Sequence, residues 1–272
     1  MKSRLINKNY NFLKPKSFSN LVRLGKNFDG GYIVSEELIK KSDGLVSFGY
    51  GYDPSFELDY IRRTQNQVHI YDYTCNAIIL IQRLLKYFRR FLTFRKKIDD
   101  VIYHFKILKN YFAIIKNEKI SFFQKKITGV EINKIDINIR NIFSKFNNNN
   151  NLILKCDIEG SEYEIIEDLM LHEKKICMMI FEFHWIDKKK DLFLEKIKKI
   201  QEYFTIIHIH GNNHFDFLED ESNIPIILEI TFVNNKNIVF DKKDNSLPLF
   251  FPVTNLDQPC CPVKDDLYFH FN

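Results

Sequence analysis

Short apolar runs alternate with amphipathic stretches along most of the chain. Runs of this kind, rich in β-branched and aromatic residues, are typical of strands buried on both faces of a sheet. The predicted strands span residues 45–48, 68–71, 120–127, 152–156, 176–183, 205–209 and 227–233. Helical spacing of apolar positions predicts helices at residues 77–91, 101–116, 131–146, 161–172 and 188–204. Alternation of the two predicts an α/β fold with a largely parallel sheet and helices on both faces.

The segment 44–57 combines a short buried strand, a glycine turn and the start of a helix. Gly49 and Gly51 allow the backbone to turn sharply and to approach a ligand. Asp53 and Pro54 favour a first helical turn. Open α/β sheets build nucleotide sites at such strand ends, and an ordinary tight turn is the alternative.

Asp72 ends the second predicted strand, about 20 residues after Gly51. Carboxylates at this offset bind ribose hydroxyls in such folds, because both carboxylate oxygens accept hydrogen bonds from a vicinal diol. A turn aspartate is the plainer alternative. The combination of glycine turn and spacing favours the ribose contact.

Residues 1–43 are predicted to form an N-terminal extension built on a β-hairpin. The sequence Asp29-Gly30-Gly31 lies between two apolar alternations, which is a strong hairpin signal. Such a hairpin can still contribute to a binding site, and the candidate substrate-binding residues in it are Arg23, Asp29 and Tyr32.

Polar side chains also follow the later predicted strands. Asp157 and Glu159 follow one strand, Glu182 and His184 end the next, and His210 ends a third. Ligands bind beyond the carboxyl ends of parallel strands, so these side chains are expected to converge. Either histidine could act as a base near neutral pH. Alternatively, a divalent cation, Mg²⁺ or Mn²⁺, could be held by the set Asp157, Glu182, His184 and His210.

Composition indicates one cytoplasmic domain. The 272 residues, 45% of them hydrophobic, are enough to bury one core. An uninterrupted apolar run of about 18 residues is missing, so no transmembrane helix is expected. The first residues lack the apolar core of a signal peptide. The five cysteines form no C-x-x-C pair, which favours reduced thiols and a cytoplasmic location.

Positive charge is concentrated in one segment. The chain has a net charge of +5, and residues 81–120 hold eleven Lys or Arg against three Asp or Glu. We interpret residues 81–118 as a basic helical insert. A basic amphipathic helix can rest on an anionic membrane or on nucleic acid. A solvated face or a contact with a second copy of the chain is expected instead, and no nucleic-acid-binding motif is present.

Several motifs together resemble class I S-adenosylmethionine-dependent methyltransferases of the FkbM-like group, in the branch with an RLG and DGGY opening. The most specific of them is the block Asp157-Ile-Glu-Gly-Ser-Glu162. The others are Arg23-Leu-Gly25 with Asp29-Gly-Gly-Tyr32, Ser47-Phe-Gly49 with Ser55-Phe-Glu57, Glu182-Phe-His184, His210-Gly-Asn-Asn213 and Leu256-Asp257.

This resemblance implies a Rossmann-like fold and S-adenosylmethionine bound over the glycine turn. The implied cofactor contacts are Phe48, Gly49, Gly51, Glu57, Asp72, Thr74, Asp157 and Glu159. It also implies that the methyl group faces Asp157. The candidate catalytic residues are therefore Asp157, His184 and His210, and Asn212 and Asn213 are further candidate substrate-binding residues. Ser47 stands where the group often has an acid, and Asp53 replaces a third glycine.

The resemblance suggests O-methylation of a sugar, either nucleotide-linked or a precursor of a bacterial surface polysaccharide. A non-catalytic nucleotide-binding scaffold that docks through the basic insert is the alternative. Such a scaffold needs no base at the methyl position, so Asp157, His184 and His210 argue against it. A dehydrogenase would require the third glycine that the turn lacks.

Overall fold

A seven-stranded sheet forms the centre of the protein, in a computed structural model that describes residues 3–146, 149–238 and 250–272. The strands are β1 (Arg4–Leu5), β2 (Leu21–Leu24), β3 (Tyr32–Ser35), β4 (Gly44–Phe48), β5 (Gln67–Tyr71), β6 (Ile120–Phe123), β7 (Lys126–Ile127), β8 (Asp136–Ile137), β9 (Leu152–Cys156), β10 (Ile176–Phe183), β11 (Phe204–Gly211), β12 (Leu228–Asn234), β13 (Phe250–Phe251) and β14 (Phe269–His270). The α-helices are α1 (Glu36–Lys41), α2 (Ser55–Thr64), α3 (Ala77–Leu92), α4 (Ile98–Ile115), α5 (Ile139–Phe143), α6 (Glu162–Met170) and α7 (Ile186–Gln201).

The order of strands in the central sheet is β11-β12-β10-β9-β4-β5-β6. All neighbouring pairs are parallel except those made by β12, which runs antiparallel to both β10 and β11. The carboxyl ends of β5, β4, β9 and β10 therefore meet at one edge. The predicted Rossmann-like, largely parallel α/β sheet is confirmed.

Hydrophobic cores cover both faces of this sheet. Alternation along β4 sends Leu45 to one core and Val46 to the other. Leu45 shares its core with Tyr60 of α2, whereas Val46 shares its core with Ile165 of α6 and Ile197 of α7. Burial of each such side chain stabilises the fold by about 1.5–3 kcal/mol. Helices thus lie on both faces, as predicted.

Two predicted elements are interrupted in the structure. The strand predicted at 120–127 ends at Phe123. There the backbone amide of Lys125 donates a hydrogen bond to the Phe123 carbonyl at 2.8 Å, which closes a tight turn. The strand after this turn, β7, pairs with β8 outside the central sheet. The helix predicted at 131–146 begins only at Ile139, because the Asn138 side chain accepts the Asn141 amide at 2.8 Å and caps the helix there.

An N-terminal hairpin and a helical hairpin flank the sheet. β2 pairs with β3 in antiparallel register, and α3 packs along α4, where the Tyr87 and His104 rings lie 3.9 Å apart. Residues 1 and 2 of the predicted extension lie outside the described residues. The division into one domain with these two additions stays a prediction. Within the described residues, no helix has the length and apolarity needed to cross a membrane.

Candidate functional site

The glycine turn after β4 lies against the end of β9. Gly49 has φ +83°, and a Cβ there would lie 1.7 Å from the carbonyl oxygen of Asp157, so only glycine is accommodated. Gly51 has φ +57°, and a Cβ there would meet nothing within 4 Å. One glycine is therefore required by packing, whereas the other borders open space.

That open space is part of a pocket of about 210 Å³, called here the glycine pocket. Its walls include six of the eight residues predicted to contact a cofactor. They are Gly49, Gly51, Asp72, Thr74, Asp157 and Glu159. Residues from the ends of β4, β5 and β9 thus meet there, as expected for neighbouring parallel strands.

Asp72 organises two loops at this pocket. Its Oδ2 accepts the Tyr50 amide at 2.9 Å, and its Oδ1 accepts both the amide and the hydroxyl of Thr74 at 2.7 Å. Each carboxylate oxygen accepts about two hydrogen bonds, so Oδ2 retains capacity for one more donor. Asp72 therefore supports the pocket wall and can still bind a ligand hydroxyl.

Phe48 and Glu57 lie in the protein core. Phe48 packs edge-on against Tyr71 with ring centroids 6.0 Å apart, and Glu57 accepts the Ser47 hydroxyl at 2.6 Å. Both residues are fully buried. Among the described residues, neither Phe48 nor Glu57 forms part of the wall of the glycine pocket or of the larger pocket beside it.

A second pocket of about 690 Å³, the wide pocket, adjoins the glycine pocket. The two share Gly51, Tyr52, Asp157 and Glu159. The remaining wall of the wide pocket contains acids, asparagines and two histidines, among them Asp29, Glu182, His184 and Asn212. The two pockets therefore adjoin along these four shared residues.

Three acids surround the outer nitrogen of His184. Its Nε2 lies 3.9 Å from Asp157 Oδ1, 3.9 Å from Glu182 Oε1 and 3.5 Å from Glu159 Oε2. Ligand atoms of Asp157, Glu182 and His184 all lie within 4.8 Å of one another. We call these three residues the acid–histidine cluster. Two carboxylates and one imidazole are a suitable donor set for a divalent cation.

The inner nitrogen of His184 is held by Glu162. Nδ1 lies 2.9 Å from Glu162 Oε1, which also accepts the amides of Ile158 and Gly160 at 3.1 Å each. Because this carboxylate accepts only, Nδ1 carries a proton and donates it. Burial would lower the pKa of His184, but the hydrogen bond to Glu162 and the charge of Glu182 raise that pKa to about 10.

Excess negative charge marks the floor of the wide pocket. Burial raises the pKa of Glu182 well above its usual value, and the charges of Asp157 and Glu229 raise it further. The Tyr32 hydroxyl lies 3.2 Å from Asp157 Oδ2 and 3.1 Å from Glu182 Oε2. A hydroxyl donates only one proton. Tyr32 can therefore donate to only one of these two carboxylates at a time, and a cation between them would offset their mutual repulsion.

His210 lies apart from this cluster. Its Nδ1 is 2.9 Å from Glu229 Oε2, and its Nε2 is 3.2 Å from both carboxylate oxygens of Asp266. β12 separates His210 on β11 from Glu182 on β10. The prediction that His210 completes one metal site with Asp157, Glu182 and His184 is corrected, because both of its ring nitrogens are occupied elsewhere.

The candidate substrate-binding residues do not all lie at the same pocket. Asp29 and Asn212 line the wide pocket, and the side-chain amide of Asn212 donates to Glu182 at 2.7 Å. Arg23 instead donates to the carbonyls of Lys26 and Phe28 within its own loop. Asn213 donates to the carbonyls of Cys261, Lys264 and Asp265 in the C-terminal segment.

The family model of the methyltransferase FkbM domain matches residues 37–218, more than half of the chain. This protein belongs to the FkbM methyltransferase family. The resemblance predicted from the motifs is thus confirmed, and the protein is a methyltransferase of the S-adenosylmethionine-dependent class. Comparison with curated proteins finds no match.

Solved structures similar to this FkbM-family methyltransferase show low identity. A fibrillarin pre-rRNA processing protein from Methanococcus jannaschii is 11% identical, with 72% of this chain and 68% of that chain covered and a TM-score of 0.39. A dimethyladenosine transferase from Plasmodium falciparum is 9% identical, with 73% and 60% covered and a TM-score of 0.40. TrmK from M. capricolum, in complex with S-adenosyl-homocysteine, is 16% identical, with 74% and 66% covered and a TM-score of 0.37.

Reasoning from sequence missed several residues of the candidate site. Lys155 of β9 is buried, lines the wide pocket and donates to the Gly49 carbonyl at 3.0 Å. A lysine inside an otherwise apolar strand was the available signal. Glu162 lies in the most specific motif but was given no role. Tyr103 and Lys106 of α4 also line the wide pocket, and no local pattern marks them.

Proposed function

We propose that this methyltransferase transfers a methyl group from S-adenosylmethionine to a hydroxyl group of a sugar. The observation that carries the proposal is the junction of the two pockets at Gly51, Asp157 and Glu159. A methyl donor in the glycine pocket would face acceptor groups in the wide pocket. The sugar would be a nucleotide-linked sugar or a precursor of a bacterial surface polysaccharide.

The glycine pocket suits the cofactor. The backbone at Gly51 is open to close approach, and Asp72 Oδ2 can accept a hydrogen bond from a ribose hydroxyl. S-adenosylmethionine supplies a methyl group on a positively charged sulfonium. The carboxylates of Asp157 and Glu159, at the border of the pockets, favour that charge.

The wide pocket suits a polyhydroxylated acceptor. Its carboxylates, on Asp29, Asp157 and Glu182, accept hydrogen bonds from hydroxyl groups. Trp185 and Phe215, whose rings meet edge to face at 5.3 Å, add apolar surface to the same wall. A sugar presents both hydroxyls and apolar C–H faces, so it matches this combination.

We further propose that Asp157, Glu182 and Nε2 of His184 hold a divalent cation. Glu162 fixes the proton of His184 on Nδ1, which directs Nε2 toward the two carboxylates. Without a cation, a pKa of about 10 keeps His184 protonated at neutral pH, so it cannot accept the acceptor's proton. A bound divalent cation lowers the pKa of a hydroxyl that it ligates.

The chain's own part in the reaction is alignment and proton removal. Methyl transfer is an in-line displacement, so the acceptor oxygen must be aimed at the glycine pocket. Tyr32 and Asn212 hold Glu182 in place through hydrogen bonds at 3.1 and 2.7 Å. In this proposal Asp157, at the border of both pockets, holds the cation through Oδ1 and takes the hydroxyl proton on Oδ2, while Tyr32 donates to Glu182.

A cytoplasmic location remains part of the proposal. All five cysteines are buried and free, which agrees with a reducing compartment. Contact with a second copy of the chain stays a prediction, and the like charges on α3 disfavour one made through that helix.

Cofactor binding and metal dependence can be tested on the full chain. Saturating S-adenosyl-homocysteine should raise the unfolding temperature, with a gain of about 2.7 kcal/mol at a hundred times the dissociation constant, and NAD should have no effect. Methyl transfer to a panel of sugars and sugar nucleotides should stop in chelator and resume with added Mg²⁺ or Mn²⁺. Full activity in chelator would refute the cation, and stabilisation by NAD alone would refute the cofactor.

Substitutions of two aspartates test whether the protein is an enzyme or a non-catalytic binding protein. Asp157→Asn should lower kcat by roughly 10² to 10⁴, whereas Asp220→Asn, at an exposed ion pair with Lys190, should not. Binding of S-adenosyl-homocysteine without transfer to any acceptor would instead support the non-catalytic nucleotide-binding scaffold.

A further inference from the structure

An apolar row on helix α3 is exposed. Its residues recur at intervals of three and four, and each is between 41% and 68% exposed. This outer row consists of Ile78, Ile81, Leu85, Phe88 and Leu92. The spacing places all five on one side of the helix.

A different row attaches α3 to the rest of the protein. Leu80 is 2% exposed in the hydrophobic core, and the Tyr87 ring packs against His104 of α4. These positions lie next to the outer row around the helix, about 100° away. The outer row is therefore not needed to hold the hairpin together, although leaving large apolar side chains in water has a cost.

Positive charge accompanies the outer row. Residues 77–97 contain seven basic side chains and no Asp or Glu. The basic residues are Arg83, Lys86, Arg89, Arg90, Arg95, Lys96 and Lys97. At the tip of the hairpin, directly before three of them, the Phe94 side chain is 98% exposed. Arg83 lies over the Tyr52 ring and Lys96 pairs with Asp100. We call the outer row, Phe94 and the other five basic residues the hairpin surface.

We propose that the hairpin surface binds an anionic phospholipid bilayer. Apolar side chains of the outer row and Phe94 would enter the boundary between headgroups and acyl chains, while Lys and Arg contact the lipid phosphates. The helices would lie on the bilayer without crossing it.

Charge distinguishes this partner from a second copy of the chain. Pairing two outer rows would bring two acid-free basic helices together, and the like charges would repel. An anionic bilayer offers the opposite charge and an apolar layer at once. Nucleic acid offers the charge alone, and it leaves the exposed Leu85, Phe88 and Leu92 unaccounted for.

The same hairpin is part of the site. Tyr103, Lys106 and Asn110 of α4 line the wide pocket. A hairpin seated on a bilayer would therefore hold one wall of that pocket at the membrane surface.

Vesicle binding by the full chain tests the proposal without substrate or cofactor, so its result does not depend on methyl transfer. The protein should co-sediment with vesicles of phosphatidylglycerol and phosphatidylcholine, and much less with phosphatidylcholine alone. Binding should weaken as salt rises from about 0.05 to 0.5 M, because salt screens the attraction.

Two variants address the two parts of the hairpin surface. Arg89→Glu with Arg90→Glu should lower the vesicle partition coefficient roughly 30-fold or more. Leu85→Ser with Phe88→Ser should lower vesicle binding, but the binding that remains should still require anionic lipid. The charge-matched control Lys40→Glu with Lys41→Glu, on exposed positions of α1, should bind as the wild type does.

Circular dichroism checks that each variant is folded, and all of them are expected to match the wild type. Failure of the wild type to bind anionic vesicles, or equal loss in the α1 control, would overturn the proposal. So would a stable dimer in solution that the Leu85→Ser, Phe88→Ser variant dissociates while vesicle binding is unchanged. Preference for single-stranded RNA over vesicles in direct competition would likewise overturn it.

Discussion

Nδ1 of His184 lies 2.9 Å from Oε1 of the fully buried Glu162. The same oxygen accepts the amides of Ile158 and Gly160, so one side chain of α6 fixes both the turn after β9 and the imidazole after β10. Carboxylates that hold the far nitrogen of a ligating histidine set its tautomer and orientation. Glu162 is thus a positioning residue for the acid–histidine cluster.

Glu162→Gln should weaken cation binding without removing a ligand. The glutamine oxygen can still accept the two amides and the Nδ1 proton, but a neutral amide is a weaker acceptor than a carboxylate and leaves the imidazole a less basic ligand. Affinity for Mn²⁺, measured by calorimetry, should fall about 10- to 100-fold. Glu167→Gln, on the exposed side of the same helix, is the matched control. Unchanged Mn²⁺ affinity in Glu162→Gln would contradict the assigned role.

Alanine at the two turn glycines should have different effects. At Gly51 the added Cβ projects into the glycine pocket, so affinity for S-adenosyl-homocysteine should fall on the order of tenfold, or about 1.4 kcal/mol. The left-handed backbone costs a further ~1–2 kcal/mol of stability. At Gly49 the Cβ would collide with the Asp157 carbonyl, and the protein should fail to fold.

Gly129→Ala serves as the control for both variants, because its Cβ would make only ordinary contacts, the nearest at 3.7 Å. Thermal unfolding and calorimetry separate stability from binding. A Gly51→Ala protein with wild-type affinity would show that the cofactor does not approach this turn.

The His210 ion pairs should make stability fall at alkaline pH. Burial alone would lower the pKa of His210, but the charge of Asp257 and the hydrogen bond to Asp266 raise that pKa well above its usual value. Stability from this raised pKa is fully present below about pH 6.5, the unfolded value, and is lost as pH rises through the folded value.

His210→Gln should therefore show a smaller loss of stability above pH 6.5 than the wild type, in urea unfolding at several pH values. Near neutral pH it should be about 3–5 kcal/mol less stable, since Glu229 and Asp266 lose their buried cation. His214→Gln, at an exposed position, is the control. Parallel pH profiles for His210→Gln and wild type would exclude a charged His210.

His69 should reduce stability on the acid side. Burial, followed by the charge of Lys145, lowers the pKa of this half-buried histidine to about 4. Its ring packs 4.5 Å from that of Phe146, and its Nδ1 has no hydrogen-bond partner in the described part of the chain. The unfolded chain binds the proton more readily, so stability is lost as pH falls from about 6.5 toward 4.

Replacing His69 by Phe should flatten that part of the pH profile and leave stability at pH 7 equal or higher, because an unpaired buried nitrogen is removed. Urea unfolding between pH 4 and 7 measures the difference. An unchanged acid slope would show that His69 is solvated in the folded protein.

Local signals along the chain were enough to identify the fold and one pocket. Apolar runs placed the central strands within a few residues, since burial on both faces leaves a continuous apolar pattern. The glycine turn and Asp72 were found because each acts on neighbouring backbone, which makes its spacing visible in the sequence. Six of the eight predicted cofactor contacts line one pocket for that reason.

Tertiary structure alone decided which polar residues meet. Along the chain β11 precedes β12, but in the sheet β12 lies between β10 and β11. With strands about 4.8 Å apart, this insertion puts His210 about 10 Å from Glu182 at the level of their Cα atoms. Strand order depends on long-range pairing, which leaves no local mark. For the same reason the sequence could not indicate that Glu162 holds His184, or that α4 closes the wide pocket.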